Sequence, residues 1–205
     1  TRQLREFFAA FTHDLKTSLS SVRLQTEILQ EDLEGTDQAP LVRRLIGDTS
    51  RLEMQLENSL FFVHANNKMF LESINVLEII NLIEGHWPQL KVEVEGDDPI
   101  FADRRAFESV IKNLIQNSVV HGKANLVKIT ISKIKKVVEI RVTDDGLGFQ
   151  GDFLKIGEVF RRHTSKSGSG LGLHIVRTLM EKMDGDVGFS EKRGKGFEIC
   201  LRFNE

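Results

Sequence analysis

VVEIRVTDDGLGF (137–149) alternates apolar and polar residues and then breaks into aspartates and glycines. Period-two alternation marks a strand with one buried face. The break is D-x-G-x-G, at Asp144, Gly146 and Gly148. A carboxylate at a strand end can accept a hydrogen bond from an exocyclic amine, and glycines let backbone lie close against a flat ring. A simple structural turn accounts for the same glycines.

Outward from this stretch, LVKITISK (126–133) alternates in the same way and reads as the neighbouring strand. Residues 71–76 and 91–95 also look like strands, separated by an apolar helix over 77–83. Residues 103–121 form a strong amphipathic pattern through Phe107, Val110, Ile111, Leu114 and Ile115. Downstream come a helix over 171–183 and a hairpin, DVGFSEKRGKGFEICLRF, turning at 193–196. Mixed strands and helices with one sheet face covered make an α/β sandwich.

Two features inside this region carry chemistry. Asn113 and Asn117 stand at i, i+4 and so on one helix face, although Asn is a poor helix former. Such a pair serves either buried hydrogen bonding between elements or oxygen ligation of a hard cation such as Mg²⁺. GSGLGLHIV (168–176) places Gly168, Gly170 and Gly172 at a helix start, where free N–H groups suit phosphates. A structural turn is again the plain alternative.

The chain up to about residue 66 has another rhythm. Leu4, Phe8, Phe11, Leu15, Val22 and Leu29 form an a/d seam, with Ser18 and Gln25 in its gaps. EGTDQAP (34–40) interrupts it, with Asp37 or Thr36 available as a cap. A second seam follows through Leu45, Thr49, Leu52, Leu56, Ser59 and Val63. Two helices joined by a short loop make an antiparallel hairpin, which has one contact face and cannot enclose a core alone. Pairing two hairpins into a four-helix bundle solves that, so residues 1–66 are expected to form a homodimer. At about 100° per residue His13 falls opposite Leu4 and Val22, facing water with Thr17, and Asp14 is its neighbour. An ordinary surface histidine fits this. So does a nucleophile whose ring proton passes to Asp14.

Composition bounds the answer. The 205 residues are 40% hydrophobic and 28% charged with net charge −2, which points to no nucleic acid or anionic membrane as main partner. One cysteine forms no internal disulfide, so a reducing, cytoplasmic setting is the default. No apolar run approaches the ~18 residues of a membrane span. The start without Met, already in a helical pattern, suggests a fragment, and membrane anchoring of a longer protein is left open.

Taken in order, these motifs resemble the two-component sensor histidine kinases. FTHDLKTSL is similar to that family's H-box, NLIQNSVVHG to its N-box, and DDGLGF and GSGLGLHIV to its glycine boxes. RGKGFEI is a weaker third glycine box, and EVFRRHTSKSG looks like its lid. The resemblance implies an α+β chain: a dimeric phosphoacceptor hairpin over 1–66, then an ATP-binding sandwich over 67–205. It implies His13 as phosphoacceptor, with Asp14 as base and Thr17 orienting a dephosphorylating water. It implies ATP contacts at Asn113, Asn117, His121 and Asp144, with Gly146 and Gly148 against the nucleotide and Mg²⁺ on the two asparagines. Arg161, Arg162 and Lys166 of the lid would meet phosphate charge, and Gly168, Gly170, Leu171 and Gly172 would admit the nucleotide. The implied partner is a response regulator. Two positions depart from the pattern: Ser18 stands where proline is usual, and Val120 where Lys or Arg is frequent. Two rival readings are an ATP-driven conformational ATPase and a catalytically impaired or phosphatase-only homologue.

Overall fold

The computed structural model describes residues 2–63, 68–148, 172–190 and 196–204, with the side chains of 2–10, 12, 13, 54 and 57–63 outside the described set. Two compact units divide the chain, residues 1–67 and 68–205.

The first unit is a helical hairpin of α1 (Arg2–Asp32) and α2 (Ala39–Val63). In the loop Thr36 Oγ1 accepts the N–H of Gln38, and Pro40 follows at the helix start, where its missing N–H costs nothing. The contact between the helices takes in only part of the expected seam. Thr26, Ala39, Val42 and Thr49 are buried, while Leu15, Val22, Leu29, Leu45 and Leu52 are exposed. Thr26 and Thr49 donate to their own helix, to the carbonyls of Arg23 and Leu45, whereas the buried Ser50 hydroxyl has no hydrogen-bond partner among the described residues. Arg23 crosses to Glu53 at 3.4 Å while holding Glu27 at 2.8 Å. Of the expected seams, Thr49 lies in the intramolecular contact, while the exposed leucines and Val22 lie beside it, where a second hairpin could cover them.

The second unit is built on a five-stranded sheet, from β2 (Lys91–Glu95), β4 (Leu126–Ile134), β5 (Val137–Asp144), β6 (Asp186–Phe189) and β7 (Glu198–Asn204). The order is β2-β4-β5-β7-β6, with β2 and β4 parallel and every other pair antiparallel. A two-stranded sheet pairs β1 (Glu72–Ile74) with β3 (Ile100–Ala102), the latter without a counterpart in the sequence reading. Helices α3 (Val76–Ile83), α4 (Arg104–Asn117) and α5 (Gly172–Lys182) complete it. Val76 begins α3 and does not end the strand before it, because Asn75 accepts the N–H of Glu78 and caps the helix there.

Alternation sorts the sheet faces. Val127, Ile129 and Ile131 of β4, Val138, Ile140 and Val142 of β5, and Ile199, Leu201 and Phe203 of β7 are buried. So are Phe107, Val110, Ile111, Leu114 and Ile115 of α4, and Ile175, Val176, Leu179 and Met180 of α5. Phe107 meets Phe203 edge-on at 5.8 Å, fixing α4 over β7. The opposite face carries ion pairs, among them Arg141–Glu139 at 2.6 Å and Arg202–Asp186 at 3.2 Å. Asp144 has the parity of Ile140 and Val142. Period two thus turns its carboxylate toward the helix-covered side.

Candidate functional site

Helix α4 starts at Asp103, whose Oδ1 accepts the N–H groups of Arg105 (3.1 Å) and Ala106 (3.0 Å). Its buried stripe includes Asn113, which is 3% exposed. The amide nitrogen of Asn113 donates to the Ser109 carbonyl at 2.8 Å. That bond fixes which way the amide points and leaves Oδ1 turned from its own helix. A methyl built on Gly172, at the start of α5, would sit 3.0 Å from Asn113 Oδ1 and 3.6 Å from Asn117 Oδ1. Two amide oxygens therefore converge on one spot at a helix N-terminus. Among the described residues, Nδ2 of Asn117 is buried without a hydrogen-bond partner. Carbonyl-type oxygens suit a hard cation, and a spare amide N–H suits a phosphate oxygen. These residues fit Mg²⁺ and a polyphosphate on geometry alone. Among the described residues no group of three or more His, Cys, Asp and Glu converges as a metal set.

The α-helix was expected to run to residue 121. It ends at Asn117, and a π-helical turn, Ser118–Gly122, replaces the last stretch. Lys123 closes that turn in a left-handed conformation, φ 52. The wider turn brings Ser118 Oγ to 2.8 Å from Asp144 Oδ2. It also presents the Gly122 carbonyl to the N–H of Leu147 at 2.8 Å.

Asp144, 8% exposed, is held by three donors. Oδ1 accepts the N–H of Gly146 (2.9 Å) and of Phe197 (3.1 Å), and Oδ2 accepts Ser118. An ionised carboxylate offers about four lone-pair sites, so one acceptor direction on Oδ2 is left for a ligand. Asp145 points elsewhere. Its Oδ1 takes the N–H groups of Asn125 and Leu126 at the start of β4, and those bonds hold its carboxyl below the usual range.

Two glycines are obligatory in this cradle. A methyl on Gly146 would lie 2.5 Å from the Gly122 carbonyl oxygen. At Gly196, with φ +90, it would lie 2.1 Å from the Asp144 carbonyl oxygen. The N–H of Gly196 donates to the Gly146 carbonyl at 2.7 Å, so the last hairpin props up the D-x-G turn. Ser118, Gly122, Gly196 and the Phe197 N–H were not singled out from the sequence as partners of Asp144. Ser118 follows the asparagine pair directly, which was the one available signal. Gly148, φ +73, ends the described part of the turn.

His121 lies in the π turn. Its place there removes part of the ring's water and pushes its pKa below the ordinary value, although the residue as a whole is exposed. Arg161, Arg162, Lys166, Gly168, Gly170, Leu171 and Gly194 lie outside the described residues. In the hairpin, His13 belongs to α1 with its side chain outside the described set, while Asp14 and Thr17 are exposed.

A family model for the His Kinase A (phospho-acceptor) domain matches residues 3–68, and one for histidine kinase-, DNA gyrase B- and HSP90-like ATPases matches 102–205. The chain belongs to the sensor histidine kinase family. A relative of this histidine kinase is the sensor protein IrlS of Burkholderia pseudomallei, 26% identical over 98% of this chain and 47% of its own length. Another is the signal transduction histidine-protein kinase AfsQ2 of Streptomyces coelicolor, 29% identical over 84% of this chain and 36% of its own. The chain thus spans half or less of these relatives. Full-length ShkA, solved in complex with AMPPNP, superimposes with a TM-score of 0.62 at 24% identity, covering 97% of this chain and 45% of that one. The histidine kinase AdeS of Acinetobacter baumannii gives 0.59 at 20% identity, covering 94% and 97%. At those identities the two structures speak for the fold.

Proposed function

We propose that this histidine kinase chain phosphorylates His13 from ATP and passes the phosphoryl group to an aspartate of a response regulator. One observation carries the reading. The second unit aims two amide oxygens and one spare carboxylate acceptor into a glycine-lined cradle, and the first places exposed Asp14 and Thr17 on the helix of His13.

Asp144 would take the adenine amine on the free side of Oδ2. Asn113 and Asn117 would hold Mg²⁺, which when bound supplies positive charge against the β- and γ-phosphates. Arg161, Arg162 and Lys166 would add to that charge, and Gly168, Gly170, Leu171 and Gly172 would admit the nucleotide. One ring nitrogen of His13 would form the N–P bond while Asp14 accepts the proton of the other. The bond from the γ-phosphorus to its bridging oxygen breaks, and ADP leaves with the electron pair. Thr17, on the same helix face, would orient the water that dephosphorylates the regulator.

Phe11, Leu15, Val22, Leu29, Leu41, Leu45 and Leu52 are exposed, and this supports a second hairpin as their cover. Among the described residues no helix is long and apolar enough to cross a membrane. We place the chain in the cytoplasm, where a response regulator would meet it. The ATPase alternative needs a carboxylate near the asparagines to activate water. Glu108 is instead engaged by Lys112 Nζ at 2.6 Å, which weakens that reading.

Radiolabelled ATP tests it. Wild type should acquire an acid-labile, alkali-stable label, and His13→Ala none. Label persisting on His13→Ala would refute the phosphoacceptor assignment, and steady ATP hydrolysis without phosphoprotein would favour the ATPase.

A further inference from the structure

The hydroxyl of Ser18 donates to the backbone carbonyl of Asp14 at 3.0 Å. In an α-helix that carbonyl also receives the N–H of residue 18, so one residue directs two donors at one oxygen. Back-bonding of this kind weakens the ladder and favours a bend. The helix is nevertheless continuous from Arg2 to Asp32. Ser18 is exposed, so its hydroxyl makes this bond in competition with water. The affected turn, residues 14–18, begins beside His13 and contains Thr17. Proline, the residue the family pattern leads one to expect here, would bend the helix by deleting the N–H. Serine softens the same turn and keeps it.

We propose that Ser18 is a positioning residue: its back-bond makes the turn after His13 a soft joint that lets the imidazole meet first the phosphate donor and then the acceptor aspartate. The inference rests on the phosphotransfer reading above. It makes a distinctive ordering. Helix propensity ranks Ala above Ser and Thr, with Pro far last. A joint ranks them otherwise, because Thr keeps an oxygen able to reach the same carbonyl and Ala does not.

The test compares Ser18→Ala, Ser18→Thr and Ser18→Pro in the dimeric protein, reading the rate of His13 labelling, the KM for ATP and the melting temperature. Losing one modest hydrogen bond should slow labelling in Ser18→Ala by roughly threefold, with Ser18→Thr within about 1.5-fold of wild type. KM for ATP should stay unchanged, since the nucleotide cradle lies in the other unit. Ser18→Pro should label faster than Ser18→Ala although it melts lowest. Rates that follow melting temperature, or Ala and Thr variants both equal to wild type, would overturn the inference. Should the proline variant fail to fold, the Ala–Thr comparison decides by itself. A wild type that takes no label overturns the phosphotransfer reading and this inference together, whereas a labelled wild type with no Ala–Thr difference overturns the inference alone.

Discussion

The oxygens of Asp144 are not equivalent. Oδ1 is filled by the N–H groups of Gly146 and Phe197, and Oδ2 shares itself between Ser118 and the open side of the cradle. Asp144→Asn puts an acceptor and a donor where two acceptors stood. If the amide oxygen keeps the backbone pair, Nδ2 would face the adenine amine of the proposed contact, donor against donor. Nucleotide affinity should fall at least tenfold, about 1.4 kcal/mol, and titration calorimetry would show it. Ser118→Ala, which leaves Oδ2 an acceptor, should cost less; an equal loss would mean that Ser118, not the carboxylate, carries the contact. His121 gives a pH signature. Its folded pKa lies below the ordinary value through loss of hydration, so the unfolded chain binds the proton more readily. Its contribution to stability is whole above about 6.5 and disappears as pH falls through the lowered value. An NMR titration should find this ring below 6.5, and His121→Asn should flatten the slope of melting temperature against pH in that window.

At the scale of elements, the cradle is a meeting of three chain ends: the π turn after α4, the D-x-G turn after β5, and the start of β7. Gly196 is where the third touches the second, so Gly196→Ala must displace the Asp144 carbonyl and strain a left-handed residue. Backbone strain of this kind costs on the order of 1–3 kcal/mol. Both melting temperature and nucleotide affinity should drop, and a variant that lost only stability would separate the hairpin from the site. Much of this was legible in the sequence. Alternation set out β4 and β5 because each has one buried face, and the i, i+4 asparagines were visible as poor helix formers in a strong helix. β3 was missed because its three residues follow the turn-like run GDDP (96–99) with no alternation around them, whereas β1, equally short, lies in a longer strand-like stretch. The π turn was missed because Val119 and Val120 continue the apolar run while the hydrogen bonding shifts, and that shift leaves no mark on composition. The heptad count did not divide the hairpin's own contact from the rest of the stripe, because it finds an apolar stripe and not which helix covers it.

At the scale of the whole molecule, the hairpin carries two separate apolar surfaces. Phe11, Leu15, Val22 and Leu29 line one side of α1, next to the contact with α2, and Leu41, Leu45 and Leu52 lie exposed on α2. Leu24 and Ile28, 60% and 53% exposed, lie more than about 120° round α1 from Val22, on the side of Thr17. One hairpin on another can bury the first set, but not both, because each helix already spends a third face on its own partner. On the proposed function, the second set is the face that a response regulator would meet. Charge placed on each side should give different failures. Val22→Glu with Leu45→Glu should turn a dimer into a monomer of lower melting temperature, since a buried unpaired carboxylate is costly. Leu24→Glu with Ile28→Glu should leave the dimer and the His13 label intact and slow transfer to the regulator by an order of magnitude or more, as loss of two apolar anchors implies. Sedimentation and phosphotransfer assays on both double variants decide it. If the Leu24–Ile28 variant dissociates while the Val22–Leu45 variant stays dimeric, the two faces have been assigned the wrong way round.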